Sequence, residues 1–143
     1  MSSNLNIIAT PYFAKQAKVL RKRYKSFEQD YFELLKLLKD TPFHGINLGN
    51  GFRKIRLAIK SKNKGKSGGA RVITLTTKML ADDNSGTLYL IDIYDKEEQE
   101  SISIKELLNL VKNAGLDKSF VCVVADIHKY YISHSYYASQ TLT

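Results

Sequence analysis

The nine residues FRKIRLAIK, 52 to 60, constrain the fold more than any other stretch of the chain. Ile55, Leu57 and Ile59 alternate with Lys54, Arg56, Ala58 and Lys60, the period of two that belongs to a strand with one wet face. Further along, RVITLTT carries β-branched residues, ADDNSG reads as a turn, and TLYLIDIY alternates again. Together these segments predict an antiparallel meander of three strands.

Between the first two strands lies GKSGGAR, residues 65 to 71, which looks at first like the end of a nucleotide-binding loop. A phosphate-cradling loop requires a glycine five positions before its Gly-Lys-Ser and a helix directly after it. Here that position is Lys60, and the residues after Arg71 are strand-like, so the reading fails twice. Gly68 and Gly69 instead permit tight backbone turning, or the close approach of a ligand, where cations converge.

The rest of the chain supplies helices to cover the sheet. Asn6 to Ala9 can form a short strand, and Thr10-Pro11 offers an N-cap followed by proline at the first helical position. The helix beginning there, to about Tyr24, places Phe13, Ala17, Leu20 and Tyr24 on one stripe and is basic elsewhere. Ser26 with Gln29 resembles a capping box for a second helix, FEQDYFELLKLLKD, which Pro42 ends. Ser103 and Glu106 form the same signal for a last helix, IKELLNLVKN, stopped at Gly115. The order β-α-α-β-β-β-α predicts an α+β fold: a small twisted antiparallel sheet with two N-terminal helices and a C-terminal helix. This domain is expected over 1–113, with an atypical tail over 114–143 in which FVCVVADI has strand propensity and KYYISHSYY reads as an edge hairpin or a disordered end.

Composition narrows the function. The chain of 143 residues carries 22 Lys and Arg against 14 Asp and Glu, a net charge of +8. Such a balance favours polyanionic partners, nucleic acid before an anionic membrane. No apolar run approaches the roughly 20 residues that span a bilayer, and the N-terminal residues lack the features of a signal peptide, so a cytoplasmic location and no membrane partner are expected. The single cysteine, Cys122, excludes an internal disulfide and a multi-cysteine zinc site. His44, His128 and His134 are scattered, and no metal or other cofactor is expected.

If FRKIRLAIK is a strand, Lys54, Arg56 and Lys60 share its outer face, and Arg71 can join them from the next strand. Lysine supplies a point charge and arginine a fork that grips a phosphate with two parallel bonds. Strict alternation in TLYLIDIYDK puts Asp92, Tyr94 and Lys96 on one face and Tyr89, Ile91 and Ile93 on the other. A tyrosine and a lysine beside Arg71 and Lys54 meet the needs of metal-free RNA cleavage: proton transfer, base stacking and stabilisation of charge on phosphorus. The plainer alternative is that these residues form the solvated face of a half-exposed strand.

At these residues the chain resembles the HigB branch of the RelE/ParE toxin superfamily. LGNGFRKIRLAIKSKNKGKSGGARVITL, followed by LYLIDIYDKEEQESIS, carries the patterns G-x-G-x-x-K-x-R, G-K-x-G-G-x-R-x-I and I-Y-x-K-x-E, in order, over about residues 5 to 112. The resemblance implies the toxin of a type II toxin-antitoxin pair, a ribosome-dependent mRNA endonuclease whose partners are a cognate antitoxin protein, the ribosome and mRNA. Carried over, Lys54, Arg71, Tyr94 and Lys96 are the catalytic set. Arg56, Lys60, Lys62, Lys64, Lys66, Arg21 and Lys22 are expected to hold RNA. Thr74-Leu75 replaces the aromatic pair often found after Val-Ile, and Ser103 or nothing stands where RelE proteins carry a further tyrosine, so the general base stays open. A ParE-like or degenerate module that binds without cutting is the alternative within the same superfamily.

Overall fold

The computed structural model describes residues 5–76 and 86–116. Its elements are β1 (Leu5–Ala9), α1 (Pro11–Arg23), α2 (Phe27–Asp40), β2 (Ile46–Gly49), β3 (Phe52–Leu57), a short 3-10 turn at Lys60–Lys62, β4 (Ala70–Thr76), β5 (Gly86–Asp95) and α3 (Ile104–Asn113). The strands make one sheet in the order β1-β5-β4-β3-β2. The α+β class and the placing of the three helices agree with the sequence. The sheet is mixed, because β1 lies outside the meander and takes the remaining edge of β5, parallel to it. Thr10 fastens that edge: its N–H and its hydroxyl both donate to the Leu90 carbonyl, at 3.1 and 3.2 Å. The same hydroxyl accepts from the N–H of Phe13 and so caps α1, directly before Pro11.

Strand β2 is the element the sequence reading did not include. Its signal is Asn50-Gly51, two residues with φ of 56° and 85° that join β2 to β3. Asn-Gly is the pair that two-residue hairpins with left-handed central residues select.

Both faces of the sheet are covered. Toward α1 and α2 lie Ile55, Leu57, Val72, Leu88, Leu90 and Ile93, packed with Phe13, Phe27, Tyr31 and Leu38. Toward α3 lie Phe52, Ile73, Leu75, Tyr89, Ile91 and Tyr94, packed with Leu107 and Val111. Strict alternation cannot put Ile91 and Tyr94 on one face. The register shows why: Ile73 pairs with Asp92 and Thr74 with Leu90, which leaves Ile91 as the extra residue of a β-bulge. The bulge corrects the expected grouping of Ile93 with Tyr89 and Ile91. Tyr89, Ile91, Asp92 and Tyr94 face α3, while Ile93 and Asp95 face α1.

Two local expectations also change. Ser26 makes no cap; its hydroxyl donates to the Asp30 carboxylate at 2.7 Å and accepts from the N–H of Ser61 at 2.8 Å. The first meander strand stops at Leu57 and not at Lys60, because the N–H of Lys60 leaves the ladder for the Asp30 carboxylate, at 3.1 Å. Ser103 and Glu106 do form the expected capping box on α3. The expected turn tip at 81–85 lies outside the described residues, as do Cys122, His128, His134 and the strand FVCVVADI.

The paired glycines serve the chain's own packing. A Cβ on Gly69 would stand 2.1 Å from the Leu57 carbonyl oxygen, and one on Gly68 2.5 Å from the Cβ of Lys64. The loop therefore closes on β3 only because Gly69 has no side chain. Gly69→Ala is expected to lower unfolding stability by about 1–3 kcal/mol, the usual cost of overpacking. Urea denaturation checks this, and an unchanged midpoint would contradict the close approach.

Candidate functional site

Cross-strand register builds the candidate site. Arg56 pairs with Arg71, and Arg71 pairs in turn with Tyr94. In the next row on the same face, two residues along each strand, Lys54 pairs with Ile73, and Ile73 with Asp92. Here the sheet is only three strands wide, since β2 reaches no further than Lys54 and β1 no further than Leu90. Pockets flank this end. One of about 280 Å³, beside β3, is lined by Glu33, Leu37, His44, Arg56, Lys60 and Lys66. The other, about 250 Å³ beside β5, is lined by Gln16, Val19, Arg23, Tyr94, Glu98 and Gln99.

Arg56 and Arg71 are like charges directly opposite each other, an arrangement that weakens a sheet. Neither forms a salt bridge to a carboxylate among the described residues. Arg71 is only 4% exposed. Its guanidinium donates to the carbonyls of Lys66 (2.9 Å), Ala70 (3.2 Å) and Ser67 (3.4 Å), which fix it without neutralising it. Burial and the charge of Arg56 both pull its pKa down, though arginine stays protonated throughout the accessible range.

Tyr94 and Asp92 are 5% and 2% exposed. The Tyr94 hydroxyl and one Asp92 carboxylate oxygen have no hydrogen-bond partner among the described residues. Burial raises the Tyr94 phenol pKa, the negative charge of Asp92 raises it further, and Arg71 pulls it back. Asp92 is pushed up to about 6, chiefly by burial and then by the charge of Glu106, against a backbone hydrogen bond from Ile93.

Most lysines of the loop after β3 are engaged elsewhere. Lys60 pairs with Glu33 at 3.1 Å and Lys64 with Glu97 at 2.7 Å, both remaining exposed. Lys62 is turned inward, its side chain 5% exposed, and donates to Asp95 at 2.7 Å beneath the Tyr24 ring. Asp95 also accepts from the Tyr24 hydroxyl and, at 3.0 Å, from the N–H of Glu97. Burial alone would raise this carboxyl; the hydrogen bonds from Lys62 and Tyr24 hold it below its usual range. Lys66 is exposed at the rim, Lys54 is half-buried, and Lys96 is 28% exposed with Glu100 at 3.9 Å. Arg21 and Lys22 belong to α1, on the opposite face of the sheet from the Arg56, Arg71 and Tyr94 row. Register thus brings together Arg56, Arg71 and Tyr94, with Lys54 one row away, and leaves the α1 cations apart.

Sequence reasoning places Asp92 by its face without giving it a role, and gives Asp95 none. The signal is there: two aspartates inside LYLIDIYD, a strand too apolar to have a wet side. No group of three or more His, Cys, Asp or Glu among the described residues could hold a metal. None of their helices is long and apolar enough to cross a membrane.

No family model matches the chain, and no curated protein does. Among solved structures it is similar to the E. coli toxin RelE, in an arginine-to-alanine double mutant in the free state. The two are 14% identical, the match covers 70% of this chain and 90% of that one, and the TM-score is 0.37.

A carboxylate whose folded pKa is raised binds protons more tightly in the folded chain, so it opposes folding above that pKa and stops doing so as pH falls toward the unfolded value of about 4. Asp92→Asn is therefore expected to raise the urea midpoint at pH 7.5, with the gain shrinking toward pH 4.5. A midpoint lowered at pH 7.5 would contradict a buried, unpaired carboxylate.

Proposed function

We propose that this protein is a toxin of the RelE/ParE type that cuts mRNA on the ribosome, without a metal or other cofactor, and is neutralised by a cognate antitoxin protein. The observation that carries the reading is the cross-strand pair Arg56 and Arg71, two guanidinium groups beside a buried tyrosine with no carboxylate partner among the described residues. A sheet that places like charges opposite each other is relieved by a bound anion, and the phosphate of RNA fits two such forks.

Arg71, oriented in advance by the loop carbonyls, faces the charge that develops on phosphorus during attack by the ribose 2′-hydroxyl. Tyr94 and Lys96 serve proton transfer. Exposed Arg56 and Lys66, with Lys54, form a rim that positions the backbone. Lys60 and Lys64 can reach RNA by exchanging their carboxylate partners for phosphate, whereas Lys62 acts as a structural pin. Arg21 and Lys22, on the other face, fit a second contact with ribosomal RNA. The setting of such a reaction is the cytoplasm, where ribosomes translate.

One observation favours the rival, a module that binds without cutting: Arg71 and Tyr94 are 4% and 5% exposed, so substrate reaches them only if the covering segments shift. Primer extension on a defined mRNA incubated with ribosomes separates the two. The expected outcome is ribosome-dependent cleavage within A-site codons, reduced about 100-fold or more in Arg71→Ala and in Tyr94→Phe. Ribosome binding by a folded protein with no cleavage would replace the endonuclease with the binding module.

A further inference from the structure

We propose that Asp95 is a positioning residue for Arg71: through Lys62 it fixes the loop between β3 and β4, whose carbonyls hold the Arg71 guanidinium in place for a phosphate. The proposal deepens the endonuclease reading and rests on it. Neither Asp95 nor Lys62 touches RNA in this scheme.

Contacts run in an unbroken series from Asp95 to Arg71. The Asp95 carboxylate accepts from the Lys62 ammonium at 2.7 Å, from the Tyr24 hydroxyl, and from the Glu97 N–H at 3.0 Å. Lys62 ends the 3-10 turn, and after it Asn63 and Gly65, with φ of 58° and 61°, take left-handed conformations that reverse the chain. The segment that follows is closed on itself. Its Lys64 carbonyl accepts from the Gly68 N–H and the Ser67 hydroxyl, both at 3.3 Å, and its Lys66 carbonyl accepts from the Gly69 N–H at 3.4 Å. This closed segment carries two acceptors of Arg71, the carbonyls of Lys66 and Ser67. Its far end returns to the sheet, where the Lys96 N–H donates to the Gly69 carbonyl at 3.0 Å. The loop is thus tied at two consecutive residues, Asp95 and Lys96, directly after Tyr94.

Burial singles out the Lys62 tie. Lys60 pairs with Glu33 and Lys64 with Glu97, but the side chains of both pairs are 43 to 62% exposed, and exposed pairs hold a loop weakly. The side chains of Lys62 and Asp95 are 5% and 2% exposed, where attraction is little screened and a lost partner leaves the other charge uncompensated. Glu97 stands 3.4 Å from Lys62, and Arg23 3.9 Å from Asp95, at the edge of the pair. Such anchoring matters for Arg71 in particular. Among the described residues no carboxylate pairs with it, so the carbonyls of Lys66, Ala70 and Ser67 set where its charge stands. Two of those three move with the loop. A displacement of about 1 Å at a group that stabilises developing charge costs on the order of 100-fold in rate.

Arginine side-chain NMR and single-turnover cleavage of ribosome-bound mRNA test this on the full chain, with Lys62→Met, Asp95→Asn, Arg71→Ala and Lys62→Met combined with Arg71→Ala. In the wild type the carbonyl bonds should slow rotation of the Arg71 Nη groups, and Lys62→Met and Asp95→Asn should each free it. Either change should lower the maximal cleavage rate about 10- to 100-fold, with the half-saturating ribosome concentration kept within about twofold. Added to Arg71→Ala, Lys62→Met should cost nothing further, because both act on one guanidinium. Three results would each overturn the positioning role and leave the endonuclease standing: Arg71 held as firmly in the variants, losses that multiply in the combined variant, or faster cleavage from a loop that only covers the site. A raised half-saturating concentration at an unchanged maximal rate would overturn it as well and make Lys62 a direct RNA contact. If a single variant fails to fold, Lys62→Met together with Asp95→Asn, which leaves no unpaired charge of the two, decides by the same readings. No cleavage by the wild type, with Arg71 freed in the variants, would sink the endonuclease reading and uphold the tie.

Discussion

Strands β4 and β5 are covered on both faces, by α1 and α2 on one side and by α3 on the other, and the remaining features depend on how polar residues survive there. A polar side chain between two apolar layers has to find a partner or cost the fold free energy. Asp95 finds three hydrogen-bond donors; among the described residues Arg71 finds carbonyl oxygens but no counter-charge, and Asp92 and Tyr94 each keep an unpaired oxygen. The three cases grade from structural to functional. Where every group is satisfied the residue holds the fold, and where groups are left wanting the fold carries a cost that stability alone does not explain.

The distribution of cations obeys the same logic. Lysines 60, 62 and 64 reach back to Glu33, Asp95 and Glu97, so a loop that looks like a loose basic patch in the sequence is strapped to α2 and to the end of β5. The strap brings the Lys66 and Ser67 carbonyls onto Arg71. Charge otherwise open to a ligand goes into fixing the position of a single guanidinium, and among the described residues Arg56 and Arg71 have no carboxylate partner, opposite each other in register.

Much of this architecture is legible in the residues. The alternation of FRKIRLAIK holds as far as Leu57, and the Thr10-Pro11 start of α1 and the Ser103/Glu106 box of α3, also local signals, appear where the sequence puts them. The register of Arg56, Arg71 and Tyr94 is the kind a meander produces. The features that escape are non-local. The bulge at Ile91 depends on how β5 fits β4, and no alternation rule contains it. The capture of Lys60 by Asp30 depends on where α2 comes to rest. The burial of Lys62 depends on the partner it finds on β5. Gly69 reads in sequence as room for a turn or a ligand, and the space is taken by β3 itself.

The parallel pairing of β1 with β5 bears on the order in which this fold can assemble. Leu5 lies beside Gly86, and Ala9 beside Leu90, so the longest loop closure in the sheet joins the earliest strand to the latest. Hairpins β2-β3 and β3-β4 close locally and early; the outer parallel ladder must wait for distant chain. During synthesis β1 leaves the ribosome first and stays unpaired until β5 has emerged after it. The row that joins Arg71 to Tyr94 is completed in the same late step. A nascent chain of this protein therefore has no assembled site to present until nearly all of the described fold has been made.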